Sequence, residues 1–552
     1  MNRSNKEQRH NPIVVIGLDS ADPDLILKWS SEGHLPTITS LMNHGCWGRL
    51  NSTANISSGS LWPTFFTGTS PAKHGCFFGH RQLKTGTYQI YKKDADQIKR
   101  KPFWVWLSQA GKGVAIFDIP QTYPINGLNG IQITAWGVEA PHWSMSSWPP
   151  ELIREITSRF GTHPLATWYQ MRPEKVNEFE ELHKKLISGV EKKGLISMYL
   201  LDKEPWDFFL TMFSEPHWAG HLLWHIMDDK HPYHNPQIAR TFENAIRDVY
   251  SAIDSAISKL IEAVPDATFL IFSPAGMGPN YSGIHLLPEI LERMGIMGKT
   301  AQDRDQSERF PIEKINHLMP YKRWGPYALK KLENLVPTKV IEMAKQMIPQ
   351  KIWDNWTRRL LTGGNDWRWS KAFCVPNDFS GAIRINLKGR EPKGLVESGR
   401  EYDALCEGII EELSSLVNVD TGERAVSEVI RIDKLYQGEQ LCELPDLVVN
   451  WVRDTPIKAL YSPRIGTVSG ESPDKRTGAH RAHGFLLCSG KNISRGKMFE
   501  EGHIMDIAPT ILYLMGQPVP KDMDGKVLLD IIDEDFKSNN LVHYLKPMVD
   551  KH

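Results

Sequence analysis

The sequence has no long apolar run of the kind that spans a bilayer or forms the core of a secretion signal. Its polar N-terminus, MNRSNKEQRHNP, leads directly into the short run IVVIGL, which is too brief for either role. A soluble, cytoplasmic protein with no integral membrane association is the expectation. An excess of either charge is also missing, because 65 Lys and Arg balance 65 Asp and Glu over 552 residues. That balance removes any general electrostatic drive toward nucleic acid or an anionic membrane, so nucleic acid is not an expected partner. Cysteine is scarce: the six residues at 46, 76, 374, 406, 442 and 488 form no CxxC pair and no dense framework. This excludes a disulfide scaffold and points to reduced, mostly buried thiols. Internal repeats and low-complexity tracts are absent too, which leaves no place for a solenoid or a linker-dominated chain.

What the chain does have is a series of β-branched or aromatic runs separated by helical patterns. Ile13 to Leu18 reads as a buried parallel strand that ends in Asp19, and VAIFDI, FFLTMF, TFLIFS and GFLLCSG behave alike. The expected class is therefore α/β, a mixed but mostly parallel sheet sandwiched by helices, with ligands bound beyond the carboxyl ends of its strands. Between about Gly298 and Trp369 the composition changes to Lys, Arg, Trp and Met at helical spacing. We read 11–297 as the first part of a catalytic domain, 298–369 as a helical insertion or cap, and 370–535 as the second part. From Lys371 the chain returns to the sheet through SGAIRINLKG and LPDLVVNW. Lys351, Arg358 and Arg359 of the insertion are candidates for meeting an anionic substrate.

Four stretches carry chemistry. NISSGSLWPTFFTGTSPAKHG, from Asn55 to Gly75, sets a hydroxyl cluster ahead of a hydrophobic helical segment. Ser57, Ser58 and Ser60 are candidate nucleophiles, since the first amides of a helix point at a developing anion; the same loop is also a normal helix cap. SEPHWAGHLLWH places His217, His221 and His225 four residues apart, a spacing that brings side chains to one helix face and suits a transition metal. TGAHRAHGFLLCSG puts His480 in a Gly-containing loop ahead of a strand, with His483 beside it. The last stretch, LIFSPAGMGPNY, ends a strand at Ser273, Pro274 and Ala275.

The order of these motifs, and the ten residues from Ser58 to Gly68, resemble the alkaline phosphatase superfamily, in its type I phosphodiesterase and nucleotide pyrophosphatase branch. The resemblance implies that Asp19 is a metal ligand, that Ser58 is both nucleophile and metal ligand, and that His221 and His480 bind the other ion. His217 stands where the family usually has Asp, so that second set becomes three imidazoles. Pro274 and Ala275 stand where the family has the Asp and His of an SDHGM-type motif. One zinc ion is therefore expected, the second being doubtful, and His285 is too distant a substitute to count on. The CxPxR signature of sulfatases is replaced by Ser58, Gly59, Ser60, Leu61 and Trp62.

The implied function is metal-dependent hydrolysis of a phosphate ester on a phosphorylated small molecule, of phosphodiesterase or phosphatase type. The alternative is a catalytically degenerate or repurposed member that binds a ligand or partner without hydrolysing an ester.

Overall fold

The computed structural model describes residues 11–298 and 367–545, apart from 79–80, 92, 94, 138–144 and 167–171. The expected helical insertion, with Lys351, Arg358 and Arg359, lies almost wholly outside the described residues.

Nine strands form the main sheet, in the order Lys497–Met498, Cys46–Leu50, Gly484–Ser489, Thr268–Ser273, Ile13–Leu18, Phe208–Phe213, Val114–Phe117, Gly130–Thr134 and Ser146–Trp148. The five from Thr268–Ser273 to Gly130–Thr134 run parallel. Gly484–Ser489 is antiparallel to both of its neighbours, and Ser146–Trp148 to its one. The fold is thus α/β, with a mixed, mostly parallel sheet, as expected from the apolar runs.

Those runs are apolar without alternation because both faces are covered. Val14, Ile16 and Leu18 pack into one core with helices Val176–Lys203, Glu215–Met227 and Ala245–Ala263. Ile13 and Val15 face the opposite core, with helices Leu61–Thr67, Phe103–Gln109 and Ile507–Leu514. The register Ile13 to Phe208 through Leu18 to Phe213 makes the central strands end together, and the Asp19 amide continues the ladder to the Phe213 carbonyl at 2.9 Å. One sheet edge therefore carries Asp19, Asp118, Ser214 and Ser273.

The segments SGAIRINLKG and LPDLVVNW do not rejoin the main sheet, which the chain re-enters only at Gly484–Ser489 and Lys497–Met498. Ala372–Cys374, Gly381–Ile385, Leu447–Trp451 and Val426–Arg431 build a separate antiparallel sheet, over its own core with Leu287, Ile290, Cys406 and Ile409. An apolar run reports that a strand is buried, not which sheet buries it. A third element matters for the site: Gly276–Pro279 and Gly478–Arg481 pair as a short ribbon, with Met277 opposite His480. All six cysteines are free thiols, and Cys442 alone is exposed. Among the described residues no helix is long and apolar enough to cross a membrane.

Candidate functional site

Three imidazoles meet at the carboxyl edge of the sheet. Helix Glu215–Met227 starts directly after strand Phe208–Phe213, with Pro216 in its first turn, where a missing N–H costs nothing. His217 and His221, one turn apart, share the face turned to the edge, and the ribbon delivers His480. One nitrogen from each of His217, His221 and His480 lies within 4.8 Å of the other two.

Each ring is held from behind through Nδ1. His217 Nδ1 lies 2.9 Å from Asp19 Oδ2, His221 Nδ1 donates to the Gly478 carbonyl at 2.7 Å, and His480 Nδ1 meets Ser20 Oγ at 2.9 Å. Such partners fix the tautomer and orientation of metal-binding histidines. The Nε2 of His221 is buried with no hydrogen-bond partner, a condition that a buried polar atom rarely keeps without a ligand. These residues fit a divalent ion, with a coordination position left open. Burial, with His217 and His480 nearby, holds the His221 imidazole well below its usual range. Burial and His217 bring His480 down to about 3. Both rings are therefore neutral, as metal binding requires.

Two backbone features permit this convergence. A Cβ at Gly478 would lie 2.2 Å from the Gly220 carbonyl oxygen, so glycine alone lets the ribbon touch the histidine helix. Ser20 adopts φ 56°, a left-handed conformation that is costly for a side chain and concentrates at functional sites. The turn lets its hydroxyl reach both Asp19 Oδ1, at 3.3 Å, and His480.

Asp19 is committed on both oxygens, since Oδ1 also accepts the Trp62 indole N–H at 3.2 Å. Burial works to raise its carboxyl, but His217, His480 and the Trp62 N–H outweigh it and hold the group below its usual range. His225, the third histidine of the helix, faces elsewhere and meets Thr477 Oγ1 at 3.3 Å. His483 is exposed, and His285 donates to the Gly470 carbonyl at 3.1 Å, away from the cluster.

The serine loop resolves into one half-buried serine whose hydroxyl meets a carboxylate and two buried, structural ones. Ser57 Oγ donates to the Phe77 carbonyl at 2.6 Å and Ser60 Oγ to Thr53 Oγ1 at 2.8 Å, and neither caps a helix. Ser58 Oγ donates to Asp378 Oδ2 at 2.7 Å. Helix Leu61–Thr67 then ends at Gly68 with φ 63°. Neighbouring Cys76 is no rival nucleophile, because burial pushes its thiol up to about 11.

Asp378 is the main residue that reading the sequence missed. Asn377 Nδ2 donates to the Ile56 carbonyl at 2.9 Å and Ser380 Oγ to the Asn55 carbonyl at 3.0 Å, which ties the Asn377-Asp378-Phe379-Ser380 loop onto the serine loop from both sides. Arg476 Nη2 meets Asp378 Oδ1 at 2.6 Å. Burial opposes it, but Arg476, His480 and the Ser58 hydroxyl hold the Asp378 carboxyl at about 2. His480 Nε2 lies 3.9 Å from Asp378 Oδ2, so the serine and the histidine cluster share one polar site. The only signal for Asp378 was an Asn-Asp-Phe-Ser turn ahead of a strand, which reads as an ordinary loop.

A family model described as type I phosphodiesterase / nucleotide pyrophosphatase matches residues 13–360. The chain belongs to that family. It is also similar, at 43% identity over 60 residues, to a 2,3-bisphosphoglycerate-independent phosphoglycerate mutase of Shewanella denitrificans, a match that spans 10% of this chain and 12% of the mutase. Among solved structures it is similar to phosphonoacetate hydrolase from Sinorhizobium meliloti in complex with phosphonoformate, at a TM-score of 0.48 and 10% identity, covering 90% of this chain and 94% of the hydrolase. Murine ectonucleotide pyrophosphatase/phosphodiesterase 5, inactive and in complex with AMP, has a TM-score of 0.48 and 11% identity, covering 95% of this chain and all 100% of that one.

Within this phosphodiesterase family member, the second metal position implied by the sequence resemblance does not fit an ion. Pro274 and Ala275 are buried and offer no donor side chain. Ala275 belongs to the same apolar core as Trp62 and Phe272, and the Trp62 ring packs edge-on to Phe272 with centroids 5.7 Å apart. The indole N–H occupies the Asp19 oxygen on that side.

Proposed function

We propose that this family member is a metal-dependent hydrolase of phosphate esters, acting on a phosphorylated small molecule with one ion and a serine nucleophile. The observation that carries the reading is the imidazole cluster of His217, His221 and His480, with its buried, unpartnered His221 Nε2. Three nitrogen donors suit zinc. When bound, the ion polarises the phosphoryl group and offsets the negative charge that develops there. Asp19 serves the centre through His217, which it orients.

Ser58 Oγ attacks phosphorus, forming the Oγ–P bond as the bond to the leaving alkoxide breaks. The Ser58 proton passes to Asp378 on the attacking side, and the alkoxide departing on the opposite side takes its proton from solvent water. Water then cleaves the Ser58 phosphoester and restores the hydroxyl. The proton acceptor is weakly basic, as in other phosphoryl transfers where the hydroxyl proton moves late.

Metal content measured by mass spectrometry tests the centre: about one ion per chain is expected, lost in His221→Ala. Ser58→Ala is expected to lower ester hydrolysis by at least about 100-fold. No bound metal after reconstitution sinks the mechanism, and unchanged hydrolysis by Ser58→Ala removes its covalent step. A second reading, a member that binds its ligand without turnover, draws on Pro274 and Ala275; it predicts ligand binding with no hydrolysis of any ester.

A further inference from the structure

The loss of one metal position raises the question of what holds Ser58 and what meets the phosphoryl oxygens in its stead. In a two-ion centre the second ion would do both, orienting the nucleophile and neutralising charge. Here Pro274 and Ala275 offer that ion no donor and the Trp62 indole N–H engages Asp19 Oδ1, whereas the Ser58 hydroxyl is held at 2.7 Å by Asp378.

Asp378 is itself gripped by Arg476 at 2.6 Å. The guanidinium is placed with care: Nε and Nη2 bind Asp474 at 2.9–3.1 Å, and Cζ stacks 4.4 Å over the Phe379 ring. Phe379 in turn packs against His221 and His480, with centroids 5.6 and 5.8 Å apart. Two carboxylates and an aromatic face thus lock the arginine beside the imidazole cluster, yet hydrogen bonds to the described residues engage only Nε and Nη2. The Nη1 amino group is left with two N–H donors and no acceptor among the described residues. A fixed arginine with one edge held by carboxylates and another uncommitted is suited to a phosphoryl or other tetrahedral oxyanion.

We propose that the Asp378–Arg476 pair stands in for the second metal ion, with Asp378 positioning the Ser58 hydroxyl and Arg476 binding the phosphoryl oxygens through Nη1. This rests on the reading of Ser58 as nucleophile given above. It makes the protein a one-metal variant in which a salt-bridged pair does the work of an ion.

The experiment is a calorimetric titration of orthovanadate, a tetrahedral mimic of the phosphoryl group, into the Zn²⁺-loaded full chain. Wild type, Arg476→Lys, Arg476→Met and Asp378→Asn are compared, with ions counted by mass spectrometry and unfolding midpoints recorded. One ion per chain is expected in every form, even at excess Zn²⁺. Arg476→Met is expected to weaken orthovanadate binding by at least about 30-fold, with partial recovery in Arg476→Lys and unchanged midpoints. With p-nitrophenyl phosphate as substrate, Asp378→Asn is expected to lower kcat about 100-fold while KM stays within about threefold. Two ions per chain at saturation, wild type that binds no orthovanadate, or Arg476→Met within threefold of wild type would overturn the proposal. Wild type that binds orthovanadate and hydrolyses no ester would instead count against the hydrolase reading and leave the anion-binding role of Arg476 standing.

Discussion

Gly478 controls the three imidazoles through the side chain it does not have. Its carbonyl accepts from His221 Nδ1 at 2.7 Å, and the preceding Thr477 amide donates to the His221 carbonyl at 2.7 Å. A methyl group there meets backbone, not a side chain that can rotate away. Gly478→Ala is therefore expected to push the ribbon off the helix, lowering Zn²⁺ affinity at least about 10-fold and stability by about 1–3 kcal/mol. Competition against a chelator and a urea melt measure the two effects; unchanged affinity would mean that the close approach is not what places His480. Residue type and spacing brought Ser57, Ser58 and Ser60 forward equally. Only the folded chain separates them, because two of the three hydroxyls are consumed by Phe77 and Thr53.

At the level of elements, the histidine helix is anchored by buried charge. Glu215, at its first position, takes His163 Nε2–H at 2.8 Å, and Ser214 Oγ donates to the Gly137 carbonyl at 2.9 Å. The Gly137 and Trp136 amides donate to Asp118 at 2.8 and 2.7 Å, and Lys193 from helix Val176–Lys203 closes the network on Asp118 at 2.5 Å. Lys193 and Asp118 are both fully buried. Removing one partner strands the other charge in the core, so Lys193→Met is expected to cost about 3–5 kcal/mol. A urea midpoint within experimental error of wild type would show that the pair is not structurally required. Helical periodicity made the His217 and His221 helix legible in advance. Its anchoring was not, because Lys193 and Asp118 lie on separate elements and read as solvated charges until packing buries them.

Across the molecule, several histidines are folded as neutral hydrogen-bond acceptors. His74 Nδ1 accepts from the Cys76 amide, His231 Nδ1 from Tyr233 and His503 Nδ1 from Met505. Burial holds His74 well below its usual range and brings His231 and His503 each down to about 4. With folded values below the unfolded value of about 6.5, the unfolded chain binds more protons between them. Stability is then full above about pH 6.5 and falls as the pH drops toward 4, by on the order of 1–2 kcal/mol for buried His231 at pH 5. Urea midpoints at pH 7.5 and pH 5 measure this, and a midpoint that rises on acidification would contradict it. The effect sums over regions far apart in the chain, so it belongs to the whole fold.

The sequence by itself determined the α/β class and the family, and it brought Asp19, Ser58, His217, His221 and His480 forward as candidates. It could do so because apolar runs, helical periodicity and motif order are local properties written along the chain. The tertiary structure decided that the Ser57 and Ser60 hydroxyls are taken up by Phe77 and Thr53, that Trp62 engages Asp19, and that Asp378 and Arg476 pack beside Ser58 and His480. Asp378 reaches Ser58 across 320 residues, on a loop that belongs to a separate sheet. A contact of that kind is set by how the sheets pack, and no local pattern records it.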